Sequence, residues 1–287
     1  MSRNQTPFVF FGTPHFAVFV LEELEQAGFI PSLIVTAPDK PQGRKLVVTP
    51  PSVKRWADEH GVPVLQPETI DDAFMNTLRA EQYDIFITAA YGKILPKELL
   101  EIPKHGALNV HPSLLPKLRG ASPVRSAILE NVSETGVTVM LMDEKMDHGP
   151  VVAQAKITIA LEDWPPPARI LEEMLAREGG KLLAEVLPDW IAGKITPEVQ
   201  DDTKATFCKK IKKEDGLLDL SDDPYQNFLK IRAFDGWPGT FFFSKRGDKD
   251  IRIKINDAEF KNGKLEITRV TPEGKSEVSY KDFTQTK

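Results

Sequence analysis

The sequence predicts an α/β fold: a Rossmann-like, doubly wound, mostly parallel sheet, followed by a small C-terminal β-barrel. Three observations predict it. Apolar runs of strand length without alternation, such as residues 7–11 (PFVFF) and 84–89 (DIFITA), are the pattern of parallel strands buried on both faces. Segments of helical period lie between such runs, as strand–helix–strand units require. Beyond residue 240 the pattern changes to short alternating stretches with polar turns, at 250–255 (DIRIKI), 264–270 (KLEITRV) and 277–280. The expected organisation is an α/β domain over 1–192, a linker over 193–206 and a β-barrel domain over 207–287.

Each element has a local reason. Residues 7–11 form the first strand, closed by Gly12-Thr13-Pro14, with Thr13 as helix N-cap and Pro14 as first helical residue. The helix runs to about Gly28 with Phe16, Val20, Leu21 and Leu24 on its apolar side. Only Gly12 stands where a dinucleotide-binding turn needs three glycines, so NAD and FAD are excluded; Gly12 serves a tight turn or a ligand contact. Residues 30–36 are the second strand. Residues 37–51 are too rich in Pro and Gly for regular structure, and between Ala37 and Arg55 five cations (Lys40, Arg44, Lys45, Lys54, Arg55) face one anion, Asp39. A long loop is a solvated basic segment or a functional one.

A helix over 52–61 with Ser52 as cap, a strand over 63–65 and a helix over 71–80 precede the central strand at 84–89, which ends in Ala90-Tyr91-Gly92. Ser122 and Pro123 open a further helix, and 136–142 (GVTVMLM) with 151–159 form a hairpin. A long helix over 168–191 places Ile170, Met174, Leu182, Leu183 and Leu187 on its apolar side, with Gly179-Gly180 as a point of bending. Residues 209–213 hold the basic cluster Lys209, Lys210, Lys212 and Lys213, and 224–232 form a helix.

Bulk properties exclude several function classes. A chain of 287 residues can bury one large core and a second smaller one. No apolar run reaches membrane-spanning length. The short polar start lacks a signal-peptide core, and the lone cysteine, Cys208, excludes an internal disulfide framework and a multi-cysteine zinc site. The five histidines lack metal-ligand spacing, so no metal is expected. A cytoplasmic protein acting as a monomer is expected, without membrane partners. A net charge of −5 argues against a protein that coats nucleic acid at large, and leaves room for a local basic patch.

The chain is organised around residues 107–120. A short buried strand over 107–110 runs into a polar turn, and strand alternation puts Asn109 and His111 on one face with Val110 on the other. Open α/β sheets bind ligands at such strand ends. Asp147, on the Gly/Pro turn of the later hairpin, adds a carboxylate at another strand exit. An amide donor, an imidazole and a carboxylate can stabilise an oxyanion and move a proton; the same residues can also be satisfied turn formers.

The longer pattern decides between these readings. Asn109-Val-His111-Pro-Ser-Leu-Leu-Pro116, Arg119-Gly120, Glu134-Thr-Gly-Val-Thr-Val-Met140 and Met142-Asp143…Asp147-His-Gly149 resemble the folate-dependent formyltransferase family. The resemblance runs from Phe11 to about Phe243 and includes the segment 90–96 (AYGKILP). It implies 10-formyltetrahydrofolate as co-substrate and the amino group of methionine on initiator tRNA as acceptor. It implies a donor role for Asn109 and His111 towards the formyl oxygen, with Asp147 holding the imidazole and collecting the amine's proton. It makes Ser113, Leu114, Leu115 and Pro116 the folate-contacting turn. Tyr91 lines the folate pocket on this reading, or packs at the sheet edge. The loop carrying Lys40, Arg44 and Lys45 matches one that enters the tRNA acceptor stem in relatives acting on tRNA. The C-terminal barrel would be oligonucleotide-binding-like, here shortened.

A free α-amino group has a pKa of about 7.7–8.0, so little base strength is needed near neutrality. Relatives that formylate amino sugar nucleotides share the catalytic triple, and lack the basic loop. A non-catalytic folate- or RNA-binding module would have lost a member of the triple, and all three are present. His148, where many relatives carry Thr or Ala, is an extra proton carrier or a surface group.

Overall fold

The computed structural model describes residues 6–43 and 46–285. The chain folds into two compact units. The first takes in the described parts of Met1–Arg119, Thr135–Ile157 and Glu172–Phe207; the second takes in Gly120–Glu134, Thr158–Leu171 and the described part of Cys208–Lys287.

In order along the chain the elements are β1 (Phe8–Gly12), α1 (His15–Gln26), β2 (Leu33–Val35), β3 (Lys40–Gln42), β4 (Val47–Thr49), α2 (Ser52–His60), β5 (Val64–Leu65), α3 (Asp72–Arg79), β6 (Ile85–Ala89), α4 (Lys97–Leu100) and β7 (Ala107–His111). There follow β8 (Arg119–Gly120), α5 (Pro123–Leu129), β9 (Thr135–Leu141), β10 (Val151–Ile157), α6 (Ala168–Ile191), β11 (Phe207–Cys208), α7 (Pro224–Ala233), β12 (Thr240–Arg246), β13 (Lys249–Lys261), β14 (Lys264–Pro272), β15 (Val278–Ser279) and α8 (Tyr280–Gln285).

The first unit is built on a seven-stranded sheet of order β10-β9-β7-β6-β1-β2-β5. The five strands from β7 to β5 are parallel, and β9 and β10 are antiparallel additions. Every residue of β1 and β6 is buried, as their unbroken apolar sequence requires. Strand order reverses between β1 and β6, the position at which doubly wound sheets open a crevice beyond their carboxyl ends. One sheet face is covered by Phe74, Met75, Leu78, Leu95, Leu99 and Leu100. On the other face α6 comes close: a Cβ added to Gly179 would lie 2.5 Å from Val110 Cγ1.

Several local expectations change. Residues 37–51 are not irregular: β3 and β4 pair as an antiparallel hairpin, for which β-branched Val47, Val48 and Thr49 supply the strand propensity. Thr13 does not cap α1. Its hydroxyl donates to the Tyr91 carbonyl at 3.2 Å, and Pro14 holds the cap position. Ser52 lies inside α2 rather than capping it, with Pro51 at the cap, and Ser122 occupies the cap of α5 without a side-chain bond. The buried face of α6 is Leu171, Leu175, Ala176, Leu183 and Leu187, while Ile170 and Met174 are 51% and 36% exposed. Gly179 and Gly180 set that face, because a Cβ at Gly180 would meet Glu23 Cβ at 2.7 Å.

In the second unit the strands expected to build a barrel form a four-stranded antiparallel sheet in sequential order, β12-β13-β14-β15. Its core is Leu218, Phe242, Ile253, Ile255, Ala258 and Val270.

Candidate active site

The site grows from the end of β7. Register aligns Phe11, Thr88, Asn109 and Met140 across β1, β6, β7 and β9, so these side chains share one face. His111 follows two residues after Asn109 on the same face, opposite Thr138. Asn109 is half-buried. Its amide has no partner in the described residues and is available to a ligand.

His111 is buried at 4% exposure and faces protein oxygens at both ring nitrogens. Nε2 lies 3.0 Å from the Leu118 carbonyl, which fixes the proton on that nitrogen. Nδ1 lies 3.5 Å from Asp147 Oδ1, within ion-pair range and longer than a good hydrogen bond. The structure therefore joins His111 and Asp147 directly and holds the imidazole in place.

Asp147 does not arrive from a neighbouring strand exit, as its place in the sequence suggests. Because β9 runs antiparallel to β7, its exit at Leu141 lies beside Leu108, roughly 10 Å of strand short of His111. The connection over 142–150 doubles back to bring the carboxylate up. Asp147 takes a left-handed φ of 51°, and a Cβ at Gly149 would lie 1.9 Å from the Leu141 carbonyl oxygen, so the tight packing admits glycine alone.

The turn after His111 is fixed by buried hydrogen bonds. Thr138 Oγ1 donates to the Ser113 carbonyl at 2.6 Å and accepts from the Leu115 amide at 3.1 Å. Gln154 Nε2 donates to the same hydroxyl at 2.9 Å and to the Leu115 carbonyl at 2.8 Å. Ser113 Oγ donates to the Lys117 carbonyl at 2.6 Å, and the Leu115–Pro116 peptide is cis. Leu114 packs over Gly136, where an added Cβ would meet it at 2.6 Å. Tyr91 lies in the core, 5.5 Å from the Phe11 ring edge-on, and burial pushes its phenol up to about 12. Its buried hydroxyl has no protein partner among the described residues.

Residues that the sequence did not single out complete the site. Gln200 donates to the carbonyls of Asp147 and Gly149 and accepts from Arg119, whose guanidinium also donates to Asp202 at 2.8 Å. Thr206 takes part as well: its hydroxyl accepts from the Leu118 amide at 2.9 Å. The segment expected to link two domains thus lies against the site turn. His148 is half-buried between two carboxylates, with Nδ1 2.6 Å from Asp143 and Nε2 3.5 Å from Asp202. The Arg119 guanidinium, with His148 beside it, holds the Asp202 carboxyl below its ordinary range.

Of the basic loop, Lys40 is exposed on β3, and Arg44 and Lys45 lie outside the described residues. The base of the hairpin is tied down by Asp39, which accepts from Lys54 at 3.0 and 2.8 Å and from Gln66 at 2.7 Å. Among the described residues no group of His, Cys, Asp and Glu could hold a metal ion, and no helix is long and apolar enough to cross a membrane.

An amide on the outer part of β7, with an imidazole at its end and a carboxylate held against that imidazole, is a set of groups suited to stabilising an oxyanion. The formyl transferase family model matches residues 6–187, and the chain belongs to that family. Within it, the methionyl-tRNA formyltransferase of Bacillus subtilis is 45% identical over 81% of this chain and 73% of its own length. That of Chloroflexus aurantiacus is 47% identical over 82% and 75%. Among solved structures, a Clostridium thermocellum methionyl-tRNA formyltransferase aligns over 96% of this chain and 99% of its own, with a TM-score of 0.60 and 16% identity. A sugar N-formyltransferase from a Shewanella species aligns over 88% and 98%, with a TM-score of 0.65 and 16% identity; both share the fold.

Proposed function

We propose that the chain transfers the formyl group of 10-formyltetrahydrofolate to the amino group of methionine on initiator tRNA, supporting translation initiation. The observation that carries this reading is the 45–47% identity to methionyl-tRNA formyltransferases over four-fifths of the chain.

The residues divide the work. Asn109 donates its free amide to the formyl oxygen as negative charge develops there. His111, held between the Leu118 carbonyl and Asp147, stabilises the same oxygen, protonated or as an N–H donor. Its Nδ1 contact of 3.5 Å is loose enough to be exchanged for a substrate atom. Asp147 holds the imidazole and takes up the proton released by the amine, directly or through water. Folate would bind beside this group: the turn at Ser113, Leu114, Leu115 and Pro116 has a fixed backbone, and the buried Tyr91 hydroxyl, without a protein partner among the described residues, is a polar atom to be satisfied there. The cations Lys40, Arg44 and Lys45 meet the acceptor-stem phosphates, which an acidic chain can approach only through a local basic patch.

The test is an acceptor competition. The protein is incubated with 10-formyltetrahydrofolate and either methionyl-initiator tRNA or an amino sugar nucleotide. Formylmethionyl-tRNA is the expected product. Formylation of the sugar nucleotide alone would replace this reading with its rival.

A further inference from the structure

Asp147 keeps a backbone conformation disfavoured for residues with a Cβ, on a connection that doubles back along β7. Gln200 grips that connection twice. Its Nε2 donates to the Asp147 carbonyl at 3.0 Å and to the Gly149 carbonyl at 2.7 Å, one on each side of His148. Its Oε1 accepts from Arg119 Nε at 3.0 Å and Nη2 at 2.8 Å. A guanidinium has only donors, so the amide has one orientation: reversing it would set NH2 against the cation and oxygen against two carbonyls. Arg119 is 3% exposed and Gln200 9%, so solvent does not compete for these bonds. Asp202 in turn holds the outer edge of the guanidinium at 2.8 Å.

We propose that Gln200 is a positioning residue for formyl transfer: it locks the Asp147 turn so that the carboxylate faces His111, and Arg119 acts by fixing the Gln200 amide. The proposal rests on the formyl-transfer reading above. A purely structural alternative is that the pair only pins the segment over 193–206 to the turn.

Gln200→Glu separates the two. The carboxylate keeps, and strengthens, the bond to Arg119, while both N–H donors to the turn are lost. Positioning predicts that kcat for methionyl-tRNA falls about a hundredfold, the scale of a misplaced catalytic group. KM for both substrates stays within about twofold, because uniform binding is untouched. In an Asp147→Asn background the same change should cost less than about twofold more, since Gln200 acts through that carboxylate. Arg119→Lys, which removes the fork that orients the amide, should lower kcat in the same direction and with the same non-additivity. If Gln200→Glu does not fold, as judged by its thermal transition, Gln200→Met removes the two donors together with the acceptor for Arg119, and the Asp147→Asn background carries the comparison for it. Unchanged kcat in the folded variant, or losses that multiply with Asp147→Asn, would overturn the proposal. Absence of transfer by the unaltered protein would count against the formyl-transfer reading instead.

Discussion

The turn after β7 and the β3–β4 hairpin both follow the carboxyl end of a parallel strand, and they are held in opposite ways. The turn is locked from within: Ser113 and Thr138 are essentially buried, the Thr138 hydroxyl joins its backbone to β9, and the Ser113 hydroxyl bonds to the Lys117 carbonyl inside it. Among the described residues the hairpin is held at its base, by Asp39 with Lys54 and Gln66, and it presents Leu46, Val47 and Val48 at 60–70% exposure. A small rigid ligand is best met by preorganised groups, because ordering them on binding would subtract from affinity. A large polyanion needs reach and charge more than rigidity. On the proposed function, one strand end serves chemistry and the other capture.

The comparison breaks most sharply at Asn109. Asn109→Ala removes the one amide on the reactive face that no described residue engages. Turnover should fall about a hundred- to a thousandfold, the usual cost of an oxyanion donor. Folate binding and the thermal midpoint should be nearly unchanged, since no protein hydrogen bond is lost. Steady-state kinetics with a folate thermal-shift assay checks both. Turnover near that of the unaltered protein would remove Asn109 from the mechanism.

A smaller effect sharpens the claim that the turn is locked. Thr138→Val keeps shape and leaves the Ser113 carbonyl, the Leu115 amide and Gln154 each short of a partner. Each group left unsatisfied costs about 1–3 kcal/mol. The midpoint should drop, and folate affinity should weaken about tenfold, or ~1.4 kcal/mol. If stability falls while folate affinity holds, the turn is a scaffold and not the folate contact.

How much of this was legible in sequence follows from the range of the interactions. Alternation places Asn109 and His111 together because both lie on one strand. The central strands were legible because burial on both faces writes itself as unbroken apolar sequence. Gln200 was not, because its bond to the Asp147 turn spans 53 residues and its own segment carries only linker-like composition. Thr138 did leave a signal: a lone hydroxyl inside the run GVTVMLM must find a partner when buried. The hairpin was hidden by its Pro and Gly content, although Val-Val-Thr at 47–49 marks a strand. The face of α6 was misplaced because apolar residues ring that helix, and close approach at Gly179 and Gly180, not hydrophobicity, selects the buried side.

The smallest expected effect concerns the base of the hairpin. The Lys54 ammonium, and after it the Gln66 amide, hold the Asp39 carboxyl below its ordinary value of 3.8. A lowered carboxyl contributes stability that is present above the unfolded value of 3.8 and is lost as pH falls through the lower folded value. At neutral pH the tether is therefore fully formed. Lys54→Ala should leave kcat intact, because nothing in the β7 turn changes. It should raise KM for tRNA by no more than about fivefold, the scale of an exposed ion pair. It should also flatten the acid limb of a urea-midpoint profile measured below pH 5. Arg44→Ala, by contrast, removes a cation of the basic loop, so it should raise KM and also reduce the salt slope of tRNA binding by about one. If Lys54→Ala changes the salt slope as much as Arg44→Ala does, Lys54 contacts phosphate itself and the hairpin is not tethered in the way its geometry suggests. If both variants leave KM for tRNA unchanged, capture does not run through this hairpin, and the division between a rigid chemical end and an exposed capturing end fails at its second half.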